Sequence, residues 1–157
     1  ALALGGLVAD AEDGSGRIAQ ALETGAAAEV FGRMVAAQGG PADFVERWPD
    51  RLPAAPVVRE VPSLDDGFIA HIDGEALGHA VVHLGGGRLR EGDKVHPAVG
   101  LSDLIGLGEE IGAGVPLAMV HAATEDAAQA AVRAVQAAYR VGTSVLDEGP
   151  LVLKRIT

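Results

Sequence analysis

Cysteine is absent from the 157 residues. That removes disulfides, thiolate nucleophiles and Cys-ligated zinc, and it leaves the redox compartment undecided. Aromatic residues make up only 3% of the chain, so a core must be assembled from Ala, Val, Leu and Ile. Positive charge is scarce as well. Lys and Arg number 12 against 22 Asp and Glu, a net charge of −10. A chain of that sign repels phosphate backbones and anionic bilayers, so neither nucleic acid nor membrane is expected as a partner. No run of about 18 consecutive apolar residues is available to span a bilayer. The opening residues carry no basic segment of the kind that begins a signal peptide.

What the chain does have is 48% apolar residues and 22 glycines. The first suffices for a real core, burying roughly 70% of the unfolded surface in a domain of this size. The second points to tight turns and close backbone approaches. The chain opens on Ala1, Leu2, Ala3 and Leu4 without Met, which reads as the end of a helix already under way. It is therefore expected to be a piece of a longer protein.

Along the chain, residues 13–48 read as helices. Ser15 is a candidate cap for a helix over 16–23. Gly25 separates this from a second helix over 26–38, where Ala27, Val30, Met34 and Ala37 share a face. Gly39, Gly40 and Pro41 end it, and a short helix over 42–48 follows with Phe44, Val45 and Trp48 on one side. These stripes are expected to be packing faces. Pro49, Pro53, Pro56 and Pro62 then mark a linker or extended edge, with a domain boundary expected near 50–56.

Beyond it, 57–61 and 68–72 read as strands on either side of a turn at Asp65, Asp66 and Gly67. Asp73 caps a helix running to about Leu84, with Ala76, Leu77, Ala80, Val81 and Leu84 as its apolar face. Gly85, Gly86 and Gly87 end that helix, and 88–95 is a charged loop. Short strands are expected at 98–101, 104–105 and 116–121. Thr124 caps a helix reaching about Tyr139, with Ala128, Ala131, Val132, Val135 and Ala138 buried. A closing strand is expected at 151–156.

Several residues invite chemistry. Gly85, Gly86, Gly87 and Arg88 offer backbone N–H groups and a cation to a phosphate. They lack the Lys-Ser/Thr of a P-loop and follow a helix, where glycine serves as a C-cap. His79 and His83 share a helix face at i, i+4, but the residue after His79 is Ala80 rather than the Glu of the zinc protease pattern, and no third ligand stands out. His71, His96 and His121 are expected to be structural. The serines at 15, 63, 102 and 144 lie outside any G-x-S-x-G elbow. Asp65 with Asp66, and Glu109 with Glu110, read as solvated turns. The segment 100–121 has the strand and turn rhythm of the half-barrel sandwich in lipoyl and biotinyl carriers. Neither Lys94 nor Lys154 lies in a carrier-type hairpin tip, so a free-standing carrier or binding module is the second, less favoured reading.

Taken together, 28–46, 77–88, Ala98, Val99 and Gly100, and Pro116, Leu117 and Ala118 resemble the C-terminal part of the pyrimidine nucleoside phosphorylases. The acidic and apolar stretch 101–105 after Val99 and Gly100 resembles the bacterial thymidine phosphorylase branch more than the broad-specificity one. The resemblance implies an α+β fold: residues 1–52 as the last helices of a catalytic α/β region, and 53–157 as an α/β-hammerhead, or barrel-sandwich hybrid, C-terminal domain. It implies that the parent enzyme reversibly phosphorolyses thymidine with phosphate, is a cytoplasmic homodimer, and closes on its substrates, with the 85–97 loop offered to the cleft. The family's phosphate and base motifs match no position here. No catalytic, cofactor-binding or metal-binding residue is therefore assigned, no cofactor is expected, and the chain's partner is the rest of its own protein.

Overall fold

The computed structural model describes residues 1–144 and Lys154. The expected closing strand at 151–156 lies outside the described residues. The chain divides into two compact units, Ala1–Leu52 and Pro53–Thr157.

The first unit holds three helices, α1 (Ala11–Glu23), α2 (Ala26–Ala37) and α3 (Phe44–Arg51). Residues 1–10 form turns and bends rather than the tail of a helix. α1 starts earlier than Ser15 would place it. Asp10 is extended and its carboxylate accepts from Asp13 N at 2.9 Å, making it the cap. Ser15 sits inside the helix, its hydroxyl donating to Ala11 O at 2.9 Å. Gly25 separates α1 from α2 with φ of 78°, a left-handed conformation that glycine adopts freely. α3 runs through Pro49 because Arg47 (φ −130°) kinks it, so the proline opens the second part of the helix instead of breaking it. Asp43 does not cap α3. Its carboxylate pairs with the Arg51 guanidinium, whose hydrogen bond holds it below the usual carboxylate range.

The apolar stripes of this unit are largely uncovered. Ile18, Leu22, Val30, Phe31, Met34 and Trp48 keep between 46% and 66% exposure. α2 and α3 touch through Phe31 and Phe44, tilted rings 6.1 Å apart. Within this unit the three short helices leave those side chains uncovered.

The second unit is α+β. Its strands are β1 (Val57–Pro62), β2 (Gly67–Ile72), β3 (Gly100–Ser102), β4 (Glu110–Ile111), β5 (Pro116–Ala122) and β6 (Tyr139–Gly142). They form two open, antiparallel, three-stranded sheets, β1-β5-β3 and β4-β2-β6. Among the described residues there is no closed barrel. Although β1 and β2 flank a turn, they do not pair with each other. The expected strand at 104–105 is loop, anchored by Ile105 N donating to Leu117 O at 2.9 Å.

Among the described residues two helices complete the unit. In α4 (Gly74–Val81), Asp73 accepts from Ala76 N, and in α5 (Glu125–Ala138), Thr124 accepts from Ala127 N. α5 packs on β1, β5 and α4. It buries Ala128, Ala131, Val135 and Ala138, while β5 buries Ala118, Val120 and Ala122. Small side chains on both layers let helix and sheet approach closely, which is how a chain poor in aromatics reaches core density. Ile69, Val61, Val120 and Val135 are the largest fully enclosed side chains among the described residues. No helix of the described residues is long and apolar enough to cross a membrane.

Candidate functional site

The glycine triplet and the loop after it sit where α4 gives way to β3. α4 passes into a π-helical turn, Val82–Gly86, that brings the backbone round under Val99. Each glycine answers a different demand. Gly85 has φ of 95°, and a Cβ there would make only an ordinary contact with His96 Cβ at 3.8 Å, so its need is conformational. A Cβ on Gly86 would stand 2.8 Å from Val81 Cγ1, 3.1 Å from Val81 O and 3.3 Å from Val99 O. One on Gly87 would meet Val82 Cγ2 at 2.7 Å. Gly85 O also accepts from His96 N at 2.8 Å, pinning both ends of the loop together. The triplet thus builds a helix end and a close backbone crossing.

The loop between these pins is organised by one carboxylate. Asp93 Oδ2 accepts from Leu89 N at 3.1 Å and Arg90 N at 2.8 Å, and Arg88 Nε donates to Asp93 O at 3.2 Å. All side chains from Arg88 through Pro97 are exposed, Lys94 among them. Arg88, Arg90 and Lys94 therefore stand in solvent around a polar turn.

His79 and His83 line an apolar groove of about 540 Å³ between α4 and α5, whose other lining includes Ala76, Ala80, Ala127 and Ala131. His83 Nδ1 lies 2.7 Å from His79 O, a bond within the helix, and His79 Nε2 is 3.7 Å from Glu75. Among the described residues no group of three His, Asp or Glu side chains is placed to hold a metal ion.

The remaining candidates are accounted for by local structure. Ser63 is buried, its hydroxyl donating to Asp65 O at 2.8 Å. Asp66 accepts from Ala113 N at 2.6 Å, tying its turn to a distant one, and Glu109 accepts from Gly106 N at 2.8 Å, closing its own turn. His71 is exposed on β2, and His96 Nδ1 accepts from Ala98 N at 3.3 Å. Ser144 is exposed.

One juxtaposition is invisible in the sequence. Ser102 at the end of β3 and His121 on β5 meet at 2.8 Å, and Ser102 Oγ donates to Asp103 Oδ2 at 2.9 Å. The residues are 19 apart, and only the β3–β5 register joins them.

Tyr139 begins β6 directly after α5, and its hydroxyl donates to Ile105 O at 3.2 Å. Burial, then the negative charge of Glu109, pushes the phenol above its ordinary range.

The geometry is that of a small α+β domain presenting a glycine-built turn and a charged loop. Consistent with this, residues 68–142, spanning β2 through β6, match the family model of the pyrimidine nucleoside phosphorylase C-terminal domain, and this stretch is similar to that domain.

Proposed function

We propose that the chain is the C-terminal part of a thymidine phosphorylase, a pentosyltransferase that converts thymidine and phosphate reversibly to thymine and 2-deoxyribose 1-phosphate. The observation that carries the reading is the domain match over 68–142. The match spans the glycine turn and the loop that the resemblance offers to a closing cleft. The acidic and apolar run Leu101, Ser102, Asp103, Leu104 and Ile105 favours the thymidine branch over broad pyrimidine specificity.

In this reaction a phosphate oxygen bonds to the sugar's anomeric carbon as the bond to the base nitrogen breaks, and the base leaves with the electron pair. Positive charge grows on the sugar and negative charge on the base, and an active site must stabilise both. This chain supplies neither a phosphate motif nor a base motif. Its role is architectural, with 53–157 as the domain that carries the loop and 1–52 as the last helices of the catalytic α/β region. The exposed Ile18, Leu22, Val30, Phe31, Met34 and Trp48 support that reading, because so many large apolar side chains left exposed on one small unit call for a packing partner. That partner is the rest of its own protein. The parent enzyme is a cytoplasmic homodimer acting on phosphate and thymidine, without nucleic acid, membrane or cofactor.

Thymine release from thymidine with excess phosphate tests this. The chain alone should show no turnover, and the protein extended through its upstream reading frame should show it. Turnover by the chain alone that vanishes on mutating it would overturn the architectural role. An extended protein that cleaves uridine as readily as thymidine would favour the broad-specificity branch.

A further inference from the structure

The outer face of the β1-β5-β3 sheet carries the Ser102, Asp103 and His121 cluster. Antiparallel pairing puts Val58, His121 and Gly100 in one row, and Glu60, Met119 and Ser102 in the next. His121 Nε2 is 2.8 Å from Ser102 Oγ, which is 2.9 Å from Asp103 Oδ2. Asp103 has φ of 52°, making it the non-glycine residue with left-handed backbone among the described residues. That conformation is open to Asp and Asn but is not their preferred one.

Proton counting fixes the direction of this chain. A serine hydroxyl has one proton to give, and a carboxylate can only accept. The Ser102 proton therefore goes to Asp103, and the remaining short contact is a bond only if His121 Nε2 carries a proton and donates to Ser102 Oγ. We infer that Ser102, Asp103 and His121 form a one-way hydrogen-bond latch, running from His121 Nε2 through Ser102 to Asp103. The latch holds the left-handed turn that ends β3 and fixes the His121 ring with Nε2 protonated. Two consequences follow. Ser102 is not an activated nucleophile, because its proton points away from the imidazole that would remove it. His121 Nδ1 is left as the acceptor of the neutral ring. The latch also keeps its direction when the ring gains a second proton, since Nε2–H is common to both forms.

The test uses the 157-residue chain labelled with ¹⁵N-histidine, at mildly alkaline pH. Long-range ¹H–¹⁵N correlation spectra tell a protonated ring nitrogen from a bare one, and His121→Gln assigns the signal. The expected result is a protonated Nε2 and a bare Nδ1. Asp103→Gly removes the carboxylate while suiting the positive φ, so the fold is kept. It frees the Ser102 proton to turn toward the ring, and the His121 nitrogens should move toward tautomer averaging. Asp103→Asn, whose side-chain carbonyl still accepts, should restore the wild-type pattern. A wild-type ring protonated at Nδ1 overturns the proposal. So does a His121 spectrum unchanged in Asp103→Gly, since a free imidazole also favours Nε2–H and the change on removing Asp103 is what marks the latch.

Discussion

Replacing the glycines of the 85–87 triplet one at a time separates three physical demands that the sequence presents as one motif. Gly85 has room for a methyl group, whose carbon would stand 3.8 Å from His96 Cβ, so the penalty of Gly85→Ala is that of holding alanine at φ of 95°. That costs about 1–2 kcal/mol, and Gly85→Asn should cost less because Asn tolerates the left-handed region. Gly86 carries no such φ, yet its methyl group would press on two backbone carbonyl oxygens, Val81 O at 3.1 Å and Val99 O at 3.3 Å, besides Val81 Cγ1 at 2.8 Å. Backbone cannot rotate aside, so Gly86→Ala falls toward the upper end of overpacking, about 2–3 kcal/mol. At Gly87 the obstruction is the Val82 side chain, stiff but able to shift, and about 1–2 kcal/mol is expected.

Native-state hydrogen exchange at the amides of Val120 and Val135, enclosed in the core of the second unit, reads the stability of the unit that holds the triplet. The expected order is Gly86→Ala worst, then Gly85→Ala and Gly87→Ala, with Gly85→Asn mildest. Millimolar phosphate should leave wild-type exchange unchanged, because a ligand bound to the folded triplet would raise stability by mass action. Gly85→Ala proving worst, or phosphate protecting the wild type but not the variants, would refute the assignment of these glycines to chain geometry.

Other perturbations test the same structure. Ile69 is fully enclosed, so Ile69→Ala should lower the stability of the second unit by about 3 kcal/mol in urea-denaturation measurements. Thr124→Ala should cost about 1 kcal/mol through loss of the bond to Ala127 N, and Thr124→Ser should recover most of it. Tyr139 is the lone tyrosine, so absorbance of the phenolate reports it alone. Its midpoint should lie above that of the unfolded chain, and Glu109→Gln should lower it, though less than unfolding does, because burial is the larger cause. The sign for stability follows: the folded state holds the phenolic proton longer, so this contribution is intact below the unfolded value near 10 and is lost as pH rises through the folded one.

Where local chemistry determined an element, the sequence was readable. Thr124 and Asp73 announce α5 and α4 because each places an acceptor before an apolar period of about 3.6, and Gly25 marks a left-handed break between two helices. Asp10 and Ser15 show where such reading fails. Both are cap-forming types, and the stretch between them, Ala11, Glu12, Asp13 and Gly14, has no apolar rhythm to choose one. In the structure Asp10 takes the cap, and Ser15 bonds back to Ala11 O. β6 was hidden for a related reason. The backbone turns extended at Tyr139 with no glycine or proline to mark the change, so a helical period running through Tyr139 looks continuous.

The candidate site divides along the same line. The glycine triplet and the charged loop are contiguous, and both were legible as a helix end followed by a polar segment. The role of Asp93 in that loop was not. Its carboxylate reaches back to Leu89 N and Arg90 N, a geometry that spacing permits without requiring. Ser102 and His121 lie further from reach still. Each is ordinary on its own strand, and they meet because β3 pairs with β5 in a register that sets Gly100 opposite His121. A shift of one residue in that register would send the two side chains to opposite faces and break the contact. What fixes the register is the buried alternation Ala118, Val120 and Ala122 beneath α5. The polar cluster on the outer face is therefore a consequence of apolar packing on the inner one, and it could be seen only after that packing was known.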